Sequence, residues 1–471
     1  MNDLTFLSAR SMAELVRQKK ISPLELVNAH LAQIERLQPK LNAFVEVDAK
    51  RARKSAQDAE SAVMNHAPLG PLHGVPLSIK SSFSVEGFRC EAGTRLRAGF
   101  VAQQDAPLVT RLKNAGAIIL GTTNTPELLM AWEADNLLYG RTNSPWDLDR
   151  TPGGSSGGEA AAIAAGMSAG GAGSDGGGSI RVPAHFSGIC GLKPTPGRIP
   201  ATGHFPVSAG PFASVGVVGP MARTVADLKI LFEVMQGADV GDTNAAPVPL
   251  RWLSEEEGRK LRVGYFEDDG RTPVTPETRA AVRTAAEALR SRGFQVEPFQ
   301  PEGLEEARQL WWKYFVVAGG MLLRPMFDGR ESDLSPILKQ FLEWAAAQPA
   351  HTERTLLDAW IHRDALRAQF FAQMEHYPIL LCPVAAVPAF RHGERSWLIE
   401  NKTVHYLDAW SYTEFFNLLG NPAVVVPVGQ SSEGLPIGVQ IVGRSWLEEQ
   451  PLFIAAVVER ECGAWRIPPL A

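Results

Sequence analysis

The stretch TPGGSSGGEAAAIAAGMSAGGAGSDGGGSIR, residues 151–181, decides how the rest of the chain is read. It holds two glycine-flanked serine clusters, GGSSGG (153–158) and GSDGGGSIR (173–181), separated by an alanine-rich segment that reads as one helix. Glycine has no Cβ, so it tolerates positive φ and lets backbone N–H groups come close to a ligand. Two such loops facing each other present hydroxyls and a ring of amide donors to one reacting atom. That is the equipment of acyl transfer, in which an oxygen nucleophile attacks a carbonyl and nearby donors stabilise the oxyanion.

Three other readings compete. The phosphate-binding pattern GxxxxGK[ST] is absent and neither cluster contains a lysine, which argues against a P-loop. Residues 153–157 match GxSxG, the mark of a nucleophile elbow and of an α/β-hydrolase-type Ser-His-Asp esterase. An elbow needs an apolar strand just before it, whereas NSPWDLDRTP (143–152) is turn chemistry. A flexible Gly/Ser linker does not carry such fixed company of Pro, Asp, Arg and an intervening helix.

Upstream, VPLSIK (75–80) is short, apolar and preceded by a turn, so it reads as a buried strand ending on Lys80. Burial disfavours the ammonium form and lowers a lysine's pKa; the alternative is a side chain that snorkels to solvent. A helix over 106–115 and a strand over 117–120 make the next α/β step. Asn124 and Glu127 follow it and are expected to brace the loop rather than move protons.

These residues carry a family resemblance. The two clusters, GVPLSIK (74–80) and SGICGLKPT (187–195) together resemble the amidase signature family, which includes fatty acid amide hydrolase and the A subunit of the tRNA-dependent amidotransferase. TNTPELLM (123–130), GPMARTVADL (219–228), GNPAVVVPVG (420–429) and GLPIGVQIVG (434–443) extend the likeness over most of the chain.

The resemblance implies a nucleophilic Ser179, with the backbone amides of Gly176, Gly177, Gly178 and Ser179 as the oxyanion hole. It implies that the base is Lys80, acting through Ser155, which is held in a cis peptide with Gly154. Ser156 is expected to support this network, and Asp175 and Arg181 to fix the loop's shape as a pair. Most members of the family carry a bulkier residue where this chain has Gly176; a backbone donor needs no side chain. A histidine triad is the chemical rival, with His185 and His204 nearest the signature.

The implied activity is hydrolysis of carboxamides, with esters, anilides and carbamates (urethanes) as further substrates because they share the addition intermediate. The alternative within the family is an amidotransferase component that acts only in a complex. EADNLLYGRTNSPWD (133–147) is closer to the stand-alone hydrolases. A small-molecule amide is therefore the expected ligand.

Composition sets the outer bounds. At 471 residues the chain exceeds the usual single-core range of about 250 to 300 residues, so two lobes or one large elaborated α/β domain is expected. We read one domain, 1–471: an N-terminal helical layer (1–65), the signature core (66–236), a substrate-side elaboration (237–420) and a C-terminal return to the core sheet (421–471). The expected fold class is α/β, a large, mostly parallel, twisted mixed sheet with helices on both faces.

The net charge of −5, with acids and bases interspersed, gives no reason to expect a nucleic-acid partner. Cys90, Cys190, Cys382 and Cys462 form no CxxC, so neither a disulfide framework nor a zinc site is indicated. The histidines and acids lack metal-ligand spacing. No cofactor is expected, nor a secretory leader in MNDLTFLSAR or a membrane span. The expectation is a cytoplasmic monomer or homodimer.

Within the outer regions, residues 22–25 form a capping box opening an amphipathic helix, and a second helix is expected over 47–63. Residues 224–227 cap a helix to 235, and 237–257 read as a surface excursion. A strand at 261–266, a helix over 276–290 and a strand at 294–298 follow. The 304–377 region is helical and aromatic, with Trp311 and Phe315 among rings that make core or wall an acyl pocket. Strands at 377–384 and 423–428 and a helix over 447–461 close the chain.

Overall fold

The computed structural model describes residues 4–208, 210–463 and 465–471. Residues 1–3 of the segment read above for a secretory leader lie outside the described residues. Among the described residues thirteen strands form, in chain order. The first six are β1 (Phe44–Val47), β2 (Pro76–Lys80), β3 (Ile118–Thr123), β4 (Gly170–Asp175), β5 (Cys190–Lys193) and β6 (Val217–Ala222). Then come β7 (Val263–Tyr265), β8 (Val296–Pro298), β9 (Ile379–Pro383), β10 (Ser396–Ile399), β11 (Lys402–His405), β12 (Ala423–Gln430) and β13 (Pro436–Val442).

Eleven of them make one sheet in the order β1-β3-β2-β4-β6-β5-β12-β13-β9-β7-β8, and β10 and β11 pair apart from it. The large mixed sheet is the expected one. Its parallel pairs form two blocks, β3-β2-β4 and β9-β7-β8. Between them pairing is antiparallel, from β4 through β6, β5, β12 and β13 to β9. The βα alternation that points to parallel pairing holds only where a helix returns the chain. A short turn, such as the one between Gln430 and Pro436 that joins β12 to β13, brings the next strand back antiparallel.

Helices cover both faces because successive strand residues point to opposite sides. Val424 and Val426 of β12 join one apolar layer, with helices Val225–Met235, Pro276–Ser291 and Glu449–Cys462. Ala423 and Val425 join the other, with helices Leu304–Trp311 and Ser411–Leu419. A third cluster sets the N-terminal helix Pro23–Leu41 against helix Gly157–Ala164. The capping box at Ser22 and Glu25 forms as read.

Two local expectations change. The helix expected from residue 47 begins at Ala49, because Phe44–Val47 pairs antiparallel with β3. The alanine-rich helix ends at Ala164, and from Gly170 the chain is a strand. That strand is glycine-rich for a packing reason. A Cβ on Gly171 would lie 2.0 Å from Glu159 Oε1, and one on Gly173 would lie 2.8 Å from Ser156 Oγ. Among the described residues no helix is long and apolar enough to cross a membrane.

Candidate active site

Parallel pairing of β2 with β4 matches Ser78 to Gly171 and Ile79 to Ala172, so Lys80 ends its strand beside the approach to the second serine cluster. The lysine is fully buried. Its Nζ donates to Ser155 Oγ at 2.6 Å and to Ser174 Oγ at 3.0 Å. Burial lowers its pKa to about 7, against the pull of Asp175 and Glu159 toward the charged form. Glu159 is itself pushed up to about 7 by burial, and it accepts from Ser78 Oγ and Thr123 Oγ1 at 2.7 Å each. The interior thus favours the neutral forms of both groups.

Ser155 follows a cis peptide with Gly154. Ser156 heads helix Gly157–Ala164; its amide donates to Ser179 O at 3.1 Å, tying the two serine clusters together. Ser155, Ser174 and Ser179 all border one cavity of about 410 Å3. Ser179 is only half-buried, and among the described residues its hydroxyl makes no hydrogen bond.

The glycine loop is shaped from behind by Asp175. Its carboxylate accepts from the amides of Gly178 (2.8 Å), Ile180 (3.1 Å) and Arg181 (3.3 Å). It also pairs with the Arg181 guanidinium at 3.0 Å, both side chains being fully buried. Burial would raise the carboxyl, but Arg181 and these amides hold it far below the usual carboxylate range. Arg181 also donates to Thr413 O at 2.9 Å and to Gln440 Oε1 at 3.1 Å.

Asp175→Asn would leave the Arg181 charge buried without its carboxylate. We expect a loss of about 3 to 5 kcal/mol in unfolding free energy, read as a lower urea midpoint at unchanged slope. Because the folded carboxyl sits below its unfolded value, the pair's contribution is full above the ordinary Asp range. It is lost as pH falls toward the folded value.

One expected donor is withdrawn. The Gly178 amide already donates to Asp175 Oδ1 at 2.8 Å, so it is not free to meet an oxyanion. Among the described residues the amides of Gly176, Gly177 and Ser179 have no protein acceptor. Gly178 has φ of 112°, a conformation that favours glycine. Gly176 is explained by its neighbour: a Cβ there would lie 2.5 Å from Phe315 Cε2.

The cavity wall is mostly apolar, with Ser155, Ser174, Asp175, Ser179, His204 and Ser208 as its polar residues. Leu128, Leu129, Phe205, Phe212, Phe315 and Met326 contribute to it. Leu128 and Leu129 hold φ of 47° and 68°, unusual for bulky residues and a mark of a wall imposed by its surroundings. Glu127 anchors that turn, accepting from Thr94 Oγ1 at 2.9 Å and from Ser335 N at 2.7 Å. Asn124 donates to Gly140 O at 3.0 Å, so both residues brace loops.

Neither histidine is engaged with a serine. His185 is buried with its Nε2 on Val387 O at 3.2 Å, its Nδ1 accepts from Gly438 N at 2.8 Å, and burial lowers it to about 4. His204 borders the cavity, but its Nδ1 meets Pro206 O at 2.9 Å, and burial followed by the Lys80 charge lowers it to about 4.

Ser174, Glu159 and the indole of Trp132 enter the site without having been singled out from the sequence, and Trp311, read there as core or pocket wall, enters it through its N–H. Ser174 was legible, since it directly precedes Asp175 within the second cluster. The indoles donate to Gly177 O and Gly176 O, each at 2.7 Å.

Comparison with known proteins identifies similar chains. The family model for amidases matches residues 25–452. The chain is 35% identical to an indoleacetamide hydrolase of Bradyrhizobium diazoefficiens, over 97% of this chain and 86% of that protein. It is 34% identical to the A subunit of a glutamyl-tRNA(Gln) amidotransferase from Roseiflexus castenholzii, over 98% of this chain and 96% of that one. The solved structure of a fatty acid amide hydrolase superposes with a TM-score of 0.88 at 26% identity, covering 99% of this chain and 87% of that one.

Proposed function

The chain belongs to the amidase family, and from that premise we propose that it is a free-standing hydrolase of carboxamides acting through Ser179, Ser155 and Lys80. The observation that carries this reading is the buried Lys80 amine, 2.6 Å from Ser155 Oγ at the serine end of the cavity.

In this reading neutral Lys80 takes a proton through Ser155 while Ser179 Oγ attacks the amide carbonyl. The oxyanion rests on the amides of Gly176, Gly177 and Ser179; each such donor is worth about 3 to 4 kcal/mol of barrier. Ser155 returns the proton to the departing amine, and water then releases the acid from Ser179. Gly178, Asp175, Arg181 and Ser156 hold the loop rather than touch the reacting atoms. We propose further that residues 1–471 act as one unit, and that esters, anilides and carbamates, which form the same kind of tetrahedral adduct, are turned over too.

The apolar wall suits a neutral apolar or aryl group beside the scissile bond. The amidotransferase relative supports a second reading, a component that requires partners and glutamine. Assay of the purified chain alone separates them. We expect release of arylamine from simple aryl amides, without glutamine or another protein. Activity seen only after adding glutamine and partner proteins would overturn the free-standing reading.

A further inference from the structure

We infer that Trp311 is a positioning residue for the oxyanion hole, its indole N–H fixing the direction in which the Gly177 amide points. This rests on the proposed role of Ser179 and its loop.

The argument follows from peptide geometry. In a trans peptide the C=O of one residue and the N–H of the next point in opposite directions, and the only cis bonds among the described residues are elsewhere, at 154–155 and 205–206. Holding a carbonyl behind the loop therefore aims the following amide forward. Trp311 Nε1 donates to Gly176 O at 2.7 Å, which turns the Gly177 N–H the other way. No protein acceptor meets that N–H among the described residues. The next two peptides are held as well. Gly177 O accepts from Trp132 Nε1 at 2.7 Å and from Thr413 Oγ1 at 2.9 Å. Gly178 O accepts from Val182 N at 2.6 Å.

Gly176 O and Gly178 O each depend on a single donor among the described hydrogen bonds, and only for Gly176 O is that donor a side chain. Trp311 suits the task because it cannot easily yield. It is fully buried, and its ring stacks on Phe315 at 4.8 Å with 13° between planes. The absence of side chains on the loop admits this shelf: a Cβ on Gly177 would lie 2.5 Å from Trp311 Cζ2. The brace comes from helix Leu304–Trp311, far in sequence from the serines, so it links the segment carrying the cavity wall to the rate of the chemical step.

The test compares Trp311→Phe with Trp132→Phe on an aryl amide substrate. For Trp311→Phe we expect kcat to fall about 10²-fold, the size of one lost oxyanion donor, with KM changed by less than about threefold. The affinity of a trifluoromethyl ketone, which adds to the serine as a tetrahedral mimic, should fall by the same factor. That of a non-electrophilic isostere should hold. Trp132→Phe should lose less than about tenfold, since Thr413 still donates to Gly177 O.

If Trp311→Phe does not fold, benzothienylalanine at 311, which replaces the N–H with sulfur and keeps the bicyclic shape, gives the same readout. Retained kcat, an unchanged affinity for the tetrahedral mimic, or equal losses in both tryptophan variants would overturn the inference. Those results alongside an inactive Ser179→Ala would leave the proposed function standing. Full turnover by Ser179→Ala would instead remove the reading on which the inference depends.

Discussion

Replacing Ser179 by alanine is expected to cut amide hydrolysis by at least about 10⁴-fold, with substrate binding nearly unchanged. Ser179 sits half-open on the cavity while its neighbours are buried, and its main chain is held by Ser156 and Asp175 rather than by its own hydroxyl. The alanine variant should therefore fold with a normal unfolding midpoint. Ser155→Ala should fall less far, because it removes the proton path and leaves the nucleophile and amide donors in position. Single-turnover kinetics would separate the two, with no acyl-enzyme in the first and slow acyl-enzyme formation in the second.

The second large effect concerns Lys80. A neutral amine is needed as base, and burial lowers the lysine to about 7. The active fraction therefore increases with pH, and kcat/KM should rise through an apparent value near 7 before levelling off. Glu159 is pushed up to about 7 beside it, so the apparent value belongs to the pair. Lys80→Met is expected to lower kcat by about 10³-fold and to erase this rising limb.

The same substitution should make the protein more stable near neutral pH, since it removes the cost of burying an amine. The sign follows from proton binding. Between about 7 and 10.5 the unfolded lysine is protonated and the folded one is not, so wild-type stability rises with pH across that window. In Lys80→Met this slope should flatten. Thermal unfolding from pH 6 to 10 would check both points, and a variant less stable than wild type throughout would contradict them.

Much of the lysine end of the site is legible in the chain because local chemistry sets it. A short apolar run ending in Lys80 becomes a strand whose terminus is buried, and the middle of each Gly/Ser cluster, 153–156 and 176–180, becomes a loop because glycine allows the close approaches it needs. The Asp175–Arg181 pair is also local, spanning one loop.

What the sequence hides depends on distant partners. Phe44–Val47 is only four residues long between two helices, too short to stand out despite its strand-forming residues, and it becomes a strand by pairing with β3. Gly170–Asp175 has a composition that argues against a strand, yet it is required there because Glu159 and Ser156 pack against it. Withdrawal of the Gly178 amide depends on where Asp175 turns. Trp311 is one ring among many in an aromatic region, and only its contact with Gly176 O distinguishes it.

Reaction with a fluorophosphonate, followed by peptide mass spectrometry, tests whether Ser179 is the attacking oxygen. A stoichiometric adduct on Ser179, absent when Lys80 is replaced by methionine and formed in step with loss of activity, is the expected result. An adduct on Ser155, or inactivation with Ser179 unmodified, would contradict the mechanism.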